Sequence, residues 1–241
     1  MQNQNKSLTK GLLILKSIMN SSKPLTANFL CQTHDIDKST MSRLITTLVN
    51  EGFIEYIENS KEIVLSDIMN NISQIEARNK IVEKTRILLD EIFYLTQECS
   101  YIGILEKDAV LYLNQVDKSN RVLKTKDSIG LHAPLHANAF GKVLLAYENV
   151  DFKTLDLKKY TVNTITTVTR LKKEIEEVKK NGYAIGFEEY EFGLFSIAVP
   201  YFNNKKEFVG TLGISGLSAR VNKQKSHELG KKIFDLVNPV I

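Results

Sequence analysis

Three short amphipathic segments open the chain. The first is predicted to form a helix over residues 7–20, capped by Ser7, because apolar residues recur at intervals of four, three and four: Leu8, Leu12, Leu15 and Met19. Thr26 is predicted to start a second helix over about residues 26–34. A third helix is predicted between Asp37 and Gly52, where apolar residues occupy one face: Met41, Leu44, Ile45, Leu48 and Val49.

A short hairpin follows the third helix. Residues 53–57 form an apolar strand, residues 58–61 a polar turn, and residues 62–65 the return strand. Two helices joined by a tight turn and followed by a hairpin are typical of a winged helix-turn-helix. So small a unit buries little apolar area on its own, and this favours dimerisation.

The character of the chain then changes. Residues 67–80 are mostly polar and carry three isoleucines at a spacing suited to a partner helix, which predicts a linker helix: Ile68, Ile72 and Ile75. From Ile81 onward the pattern becomes strongly apolar. We therefore expect a DNA-binding domain over 1–66, a linker helix over 67–80 and a second domain over 81–241.

The second domain mixes strands and helices. Strands are predicted at residues 101–105, 110–116, 121–126, 194–201 and 207–215. Helices are predicted at residues 138–148, 170–181 and 222–237. Hairpins with helices grouped between them indicate an α+β domain built around an antiparallel sheet.

Composition and charge narrow the picture only slightly. The net charge is +4, but the first 66 residues hold seven Lys or Arg against six Asp or Glu, so DNA binding must depend on where the charges point. Cys31 and Cys99 lie in apolar patterns read as helical and are expected to be reduced, buried thiols. A signal peptide and a membrane span are not expected, which favours a cytoplasmic protein.

The third helix would be the recognition helix, lying in the major groove of DNA. Its outward face and the hairpin turn offer short polar and basic groups to phosphates and base edges: Lys38, Ser39, Thr40, Ser42, Arg43, Thr46 and Lys61. Arg43 is the best candidate for direct readout, because a guanidinium can pair with O6 and N7 of guanine. The hairpin is weakly basic, since Lys61 is its single cation. A protein-interaction module could show the same pattern.

Several stretches resemble the IclR family of bacterial transcription regulators. Ser7–Lys16 and Asp37–Ile45 resemble its DNA-binding domain. The C-terminal matches are stronger and resemble two signatures of the family: Pro134–Ala146, and Asn181–Glu189 with Gly193, Ala198–Pro200 and Leu212–Gly216. The resemblance runs from about residue 7 to the C-terminus, with the motifs in the family's order.

The resemblance implies a winged helix-turn-helix, a linker helix and a GAF-like domain that binds a small effector. It also implies a cytoplasmic homodimer or homotetramer acting as a repressor or activator, with an organic, sugar or aromatic acid as effector. The matching positions place the effector near seven residues: Ala139, Phe140, Gly141, Gly186, Ser196, Gly213 and Ser215. The family often has an acidic residue at Gly186, a cysteine at Ser196 and a serine at Gly213, and Phe140 would narrow the pocket.

Three other groups of residues are weaker candidates for a functional site. His132 and His136 are four residues apart, but Pro134 argues against a helix between them, so no metal site is expected. Residues 138–142 could offer the amide groups of a helix N-terminus to a carboxylate ligand. Glu188, Glu189 and Glu191 are expected to be solvated or structural.

No familiar catalytic or phosphate-binding motif is present, so neither enzymatic activity nor a cofactor is expected. Our hypothesis is a ligand-responsive regulator that presents two recognition helices to a roughly palindromic DNA site. An effector would favour one arrangement, and the linker helix would pass that preference to the DNA-binding domains. The alternatives are a small-molecule enzyme, or a ligand-free adaptor with an N-terminal interaction module.

Overall fold

The computed structural model describes residues 5–239, apart from the side chains of residues 68 and 70–73. Its contacts divide the chain into two compact units, with the division between Asn79 and Lys80. The isoleucine stripe predicted on the linker helix falls partly outside the described side chains, because it includes positions 68 and 72.

The first unit contains three helices and a small antiparallel sheet. The helices are α1 (Lys6–Met19), α2 (Ala27–His34) and α3 (Lys38–Asn50), and the strands, in the order β1-β3-β2, are β1 (Leu25–Thr26), β2 (Ile54–Tyr56) and β3 (Glu62–Leu65). Buried aliphatic residues from all these helices and from β2 and β3 form one core: Ile14, Ile18, Leu30, Met41, Ile45, Ile54 and Ile63. This is the expected winged helix-turn-helix.

Side chains cap these helices largely as the sequence predicts. Thr26 caps α2 and Asp37 caps α3, while Gly52 follows α3 with a φ of 74°, a conformation that favours glycine. The predicted cap of α1 was wrong. Asn5 caps it, because its side-chain oxygen accepts from the amides of Ser7 and Leu8, each at 3.1 Å.

Helix α1 has two apolar faces. Ile14 and Ile18 point into the core, whereas Leu8, Leu12 and Met19 are 61%, 49% and 47% exposed. Three of the four residues whose spacing predicted the helix are therefore exposed, whereas the fourth, Leu15, packs against the core.

The second unit is built on a six-stranded antiparallel sheet in the order β6-β5-β4-β9-β8-β7. Its strands are β4 (Cys99–Glu106), β5 (Ala109–Val116), β6 (His132–Pro134), β7 (Ala184–Phe187), β8 (Leu194–Phe202) and β9 (Phe208–Leu217). Helices α5 (Ala139–Tyr147) and α6 (Val168–Asn181) supply one apolar cluster with the sheet. Residues Leu89 and Ile92 of α4 (Asp67–Thr96) and helix α7 (Lys223–Val237) supply the other. The expected α+β fold is confirmed.

Two local expectations were wrong. No strand forms at 121–126: Arg121, Lys124 and Thr125 are bonded to other side chains within a loop, and β5 pairs instead with β6. Cys99 begins a strand rather than lying in a helix. Cys99 is buried as expected, whereas Cys31 is only half-buried. The helix predicted over 67–80 continues past Ile81 as a single helix, α4.

Candidate functional sites

Helix α3 presents its polar side chains to solvent. Lys38, Ser39, Ser42, Arg43 and Thr46 are exposed and Thr40 is half-exposed. Their placement follows from helical periodicity, since Met41 and Ile45 on the opposite face are completely buried. Six of the seven predicted DNA-binding residues thus lie together on one helix, with most of their side chains exposed.

The carboxylate of Asp37 organises the first turn of α3. Its Oδ1 atom accepts from the amide of Thr40 at 2.9 Å and from the hydroxyl of Ser39 at 2.7 Å. These bonds, led by the Thr40 amide, hold the pKa of Asp37 well below its usual range. The carboxylate is therefore ionised at any physiological pH.

The hairpin of β2 and β3 carries the seventh predicted residue. Lys61 is exposed and directly precedes β3, after a turn in which Asn59 has a φ of 58°. Glu55 and Glu62 are also exposed on this hairpin. Because acidic side chains flank Lys61, the wing offers a less favourable surface to an anion than α3 does.

Four of the seven residues predicted to bind an effector lie on the sheet, and the other three form the first turn of α5, which packs against that sheet. Neighbouring strands place Gly186 opposite Ser196 and Ser196 opposite Ser215, while Gly213 is opposite Ala198. The amide of Ala139, the first residue of α5, donates to the Ser196 hydroxyl at 3.1 Å. The folded chain thus brings Ala139, Ser196 and Gly186 together across long sequence separations.

This face is closed in the structure. The amides of Gly141 and Lys142 donate to the Asn138 side chain and carbonyl at 2.9 and 3.2 Å, so the start of α5 is largely satisfied internally. A Cβ atom at Gly186 would lie 2.6 Å from the Ser196 Oγ atom. These contacts leave most of the expected carboxylate-binding amides already bonded.

Phe140 fills the space beside these sheet residues and the start of α5. Its ring is completely buried and packs edge-on against Tyr101 and Tyr112, with centroid distances of 5.9 and 5.3 Å. Burial raises the pKa of both tyrosine hydroxyls, so both stay neutral. The expectation that Phe140 narrows this region agrees with its position, although the pocket itself stays a prediction.

Immediately after Phe140 and Gly141, a buried lysine joins three elements. Lys142 is completely buried, and its Nζ atom donates to Glu174 at 2.9 Å, to Glu189 at 2.6 Å and to the Ile185 carbonyl at 2.9 Å. Burial raises the pKa of Glu189, and the charge of Lys142 opposes that shift. Of the two roles the sequence left open for Glu189, solvated or structural, the structure shows the structural one.

A second ionic cluster forms where β4 begins. Glu98 accepts from Arg121 Nη1 at 2.8 Å and from Arg220 Nε at 2.6 Å, and Arg220 Nη2 makes a further contact. Nearby, the hydroxyl groups of Tyr101 and Thr125 are hydrogen-bonded at 2.6 Å. The crevice among these residues and Ser215 has no room for a water molecule. Sequence analysis missed this cluster because its members lie far apart along the chain.

The loop that follows β5 also contacts the C-terminal turns of α4. Lys118 pairs with Asp90 at 2.6 Å and lies over the Tyr94 ring, 5.0 Å from its centroid. The loop after β5 is thus attached to α4 as well as to Glu98.

The two histidines considered for metal binding have separate partners. His132 contacts Glu106 at 2.5 Å, and His136 contacts the Lys158 carbonyl at 2.9 Å. Burial lowers the pKa of His136. Within residues 5–239, no group of three potential ligands is close enough together to hold a metal ion. None of the helices in this range is long and apolar enough to cross a bilayer.

The architecture defines a class: a winged helix-turn-helix attached to a sheet domain with helices on both faces. Residues 7–58 match the IclR helix-turn-helix domain, and residues 74–240 match the domain described as bacterial transcriptional regulator IclR C-terminal. The chain belongs to the IclR family of bacterial transcription regulators, as its sequence resemblance predicted.

Individual relatives agree with this assignment. The regulator KdgR of Dickeya chrysanthemi is 29% identical over 205 residues, spanning 83% of this chain and 67% of that protein. The transcriptional repressor IclR of Escherichia coli K12 is 25% identical over 246 residues, spanning 98% and 89%. The crystal structure of Thermotoga maritima IclR shares the fold, with a TM-score of 0.59 at 24% identity over 96% of both chains.

Proposed function

We propose that this regulator binds a roughly palindromic double-stranded DNA site by placing α3 of each subunit in the major groove. The single observation that carries the proposal is the polar, exposed face of α3, which contains Lys38, Ser42 and Arg43 opposite a fully buried apolar face. Arg43 reads guanine, while Lys38 and Lys61 contact phosphates.

A second copy of the chain completes the DNA-binding form. The solvent-facing stripe of α1, formed by Leu8, Leu12 and Met19, has the spacing of a helix-pairing seam. Two copies pairing through this stripe would present recognition helices to half-sites one helical turn, or a multiple of it, apart. The oligomer is a dimer or a tetramer built from such dimers.

A small organic or sugar acid is the proposed effector. Its site comprises Ala139, Phe140, Gly141, Gly186, Ser196, Gly213 and Ser215, which face α5 from neighbouring strands or form its first turn. Because Ser196 already accepts the Ala139 amide, the effector carboxylate would take that amide in its place. Ligand binding would then favour an arrangement in which the Ser196 hydroxyl has released that amide.

The proposal assigns no catalytic reaction. The one close pairing of a hydroxyl with a ring nitrogen among the described histidines and serines is Ser17 with His34, at 2.7 Å. No described carboxylate hydrogen-bonds the His34 ring, so the third group of a catalytic triad is missing there. Since bacterial DNA is cytoplasmic, we place the protein in the cytoplasm.

Fluorescence anisotropy with labelled DNA from upstream of the protein's own gene tests the DNA-binding residues. Arg43→Ala should weaken specific binding about 10- to 100-fold, the loss expected for one bidentate base contact. Arg170→Ala, which removes an exposed arginine from α6, is the matched control and should bind like the wild type. Equal affinity of Arg43→Ala and wild type for the specific fragment would refute the assignment.

Thermal shift with a panel of two- to six-carbon carboxylic and sugar acids tests the effector site. At least one acid should raise the melting temperature of the wild type, and Ser215→Val should reduce that rise. A stabilising acid whose effect is unchanged in Ser215→Val and in Phe140→Leu would move the site elsewhere.

A further inference from the structure

Ser39 differs from Ser42 and Thr46 on the recognition face because its hydroxyl proton is already bonded to Asp37. Its Oγ atom lies 2.7 Å from Asp37 Oδ1, while the side chain itself remains exposed on the second residue of α3. An ionised carboxylate can only accept hydrogen bonds, so Ser39 must be the donor in this pair. The hydroxyl oxygen can then only accept a hydrogen bond from a partner outside the chain.

The neighbouring carboxylate also makes the start of α3 unfavourable for phosphate. Helix N-termini usually attract anions, but here the negative charge of Asp37 already occupies that position and bonds the Thr40 amide at 2.9 Å. A phosphate oxygen is itself an acceptor and could not bond to Ser39 without breaking the Ser39–Asp37 bond. Both effects direct Ser39 away from the DNA backbone.

Base edges in the major groove present two kinds of hydrogen-bond donor, the N6 amine of adenine and the N4 amine of cytosine. We propose that Asp37 makes Ser39 an acceptor-only reader, so that Ser39 selects adenine or cytosine at one position in each half-site. The proposal depends on the proposed placement of α3 in the major groove, and it makes Ser39 a specificity-determining residue rather than a phosphate contact.

Ser42 provides an internal control. It lies on the same exposed face of α3, three residues further on, and within the described part of the chain its hydroxyl bonds to no other residue. A hydroxyl that is free to rotate can donate or accept, so it discriminates poorly between bases. Ser39 and Ser42 thus share residue type and exposure but differ in the Asp37 bond.

Selection of binding sites from a randomised duplex library tests the proposal with three proteins: wild type, Ser39→Ala and Ser42→Ala. In the wild-type motif, one position in each half-site should prefer adenine or cytosine by about 3- to 10-fold, the range of a single hydrogen bond. Ser39→Ala should lose that preference and keep the others. Ser42→Ala should retain it.

A base analogue identifies the atom involved. At the position lost in Ser39→Ala, adenine is replaced by purine, or cytosine by pyrimidin-2-one, each of which lacks the exocyclic amine. The analogue should weaken wild-type binding by the same 3- to 10-fold and leave Ser39→Ala unaffected, because the two changes remove the same bond.

Two results would overturn the proposal. Weaker binding of Ser39→Ala to every sequence by the same factor would make Ser39 a backbone contact, because phosphate contacts carry no sequence information. A preference for guanine or thymine at the position lost in Ser39→Ala would also overturn it, because the major-groove edges of these bases offer acceptors there. A wild-type protein that enriches no motif would remove the DNA-binding proposal along with this one. Matching circular dichroism and melting curves establish that the variants are folded.

Discussion

The recognition face of α3 exposes its polar groups, whereas the sheet face that packs against α5 has its polar groups bonded within the chain. On α3, hydroxyl, ammonium and guanidinium groups point into solvent and remain available to a partner. On the sheet face, the Ser196 hydroxyl, the start of α5 and the Lys142 ammonium are bonded within the chain. The proposed DNA contact needs no rearrangement of α3, whereas the proposed effector site must first exchange bonds made within the chain.

The difference predicts where substitutions act. A change on the sheet face leaves a buried group unbonded or overcrowded, so it should lower the free energy of unfolding. A change on α3 should alter DNA binding and leave folding almost untouched. Four measurements test this division.

Lys142→Met should have the largest effect. Removing the buried ammonium leaves Glu189 without its main partner and is expected to lower the free energy of unfolding by about 3–5 kcal/mol, measured by urea denaturation. The double variant Lys142→Met/Glu189→Leu should regain much of that loss, since it replaces the pair by apolar groups. If the double variant were as unstable as the single one, packing rather than the unpaired carboxylate would account for the loss.

Gly186→Ala tests how tightly the effector-side face is closed. The new Cβ atom would lie 2.6 Å from Ser196 Oγ and 3.0 Å from the Ala139 amide nitrogen. The overcrowding should lower the free energy of unfolding by about 1–3 kcal/mol. In a Ser196→Ala background the cost should be smaller, because the nearest atom is gone. Strictly additive effects in a double-mutant cycle would contradict this closed geometry.

His136 provides a pH test of the same region. Burial lowers its pKa below the ordinary 6.5, so the folded chain binds fewer protons than the unfolded chain just below that pH. The contribution of His136 to stability is therefore complete above about pH 6.5 and is lost as the pH falls through the folded-state pKa. His136→Asn should flatten the fall in unfolding free energy between pH 7 and pH 5.5.

The exposed His132 is the control for this pH dependence. The His132→Asn variant should keep the part of the pH dependence of the unfolding free energy that His136→Asn removes. An unchanged slope in His136→Asn would mean that the ring is as easily protonated in the folded chain as in the unfolded one.

Arg43→Ala should have the smallest effect on folding. Its side chain is exposed on α3, so the free energy of unfolding should change by less than about 0.5 kcal/mol, even though specific DNA binding falls. Urea denaturation and anisotropy on one preparation give both numbers. A loss of more than 1 kcal/mol would show that Arg43 supports the fold and would blur the contrast between the two faces.

Sequence patterns predicted the first unit well because its elements are local. Asp37, Thr26 and Gly52 act within a few residues of their own positions, so capping rules located α2 and α3. The inner face of α1 was harder, because apolar residues occupy both faces and Ile14 and Ile18 rather than the regular leucines are buried. Periodicity alone could not tell a core face from a pairing face.

The second unit shows the limit of local patterns. Sequence patterns predicted the four central strands β4, β5, β8 and β9 but missed the short strands β6 and β7, and they predicted a strand over 121–126 where the chain forms a loop. Only the folded chain brings Arg121 and Arg220 to Glu98, over separations of 23 and 122 residues. The family signatures supplied the candidate effector positions, whereas the hydrogen bonds among these residues depend on tertiary contacts that no spacing encodes.

The path of α4 has a practical consequence for engineering sensors. Leu89 and Ile92 of this helix are fully buried in the core of the second unit, although the helix begins at Asp67. If DNA-binding domains were exchanged at the C-terminal end of α4, Leu89 and Ile92 would be removed from the second unit. A junction just before Lys80, where the contacts divide, keeps the sensor core intact. Interchangeable heads should therefore be joined within the helix, in register with its turns.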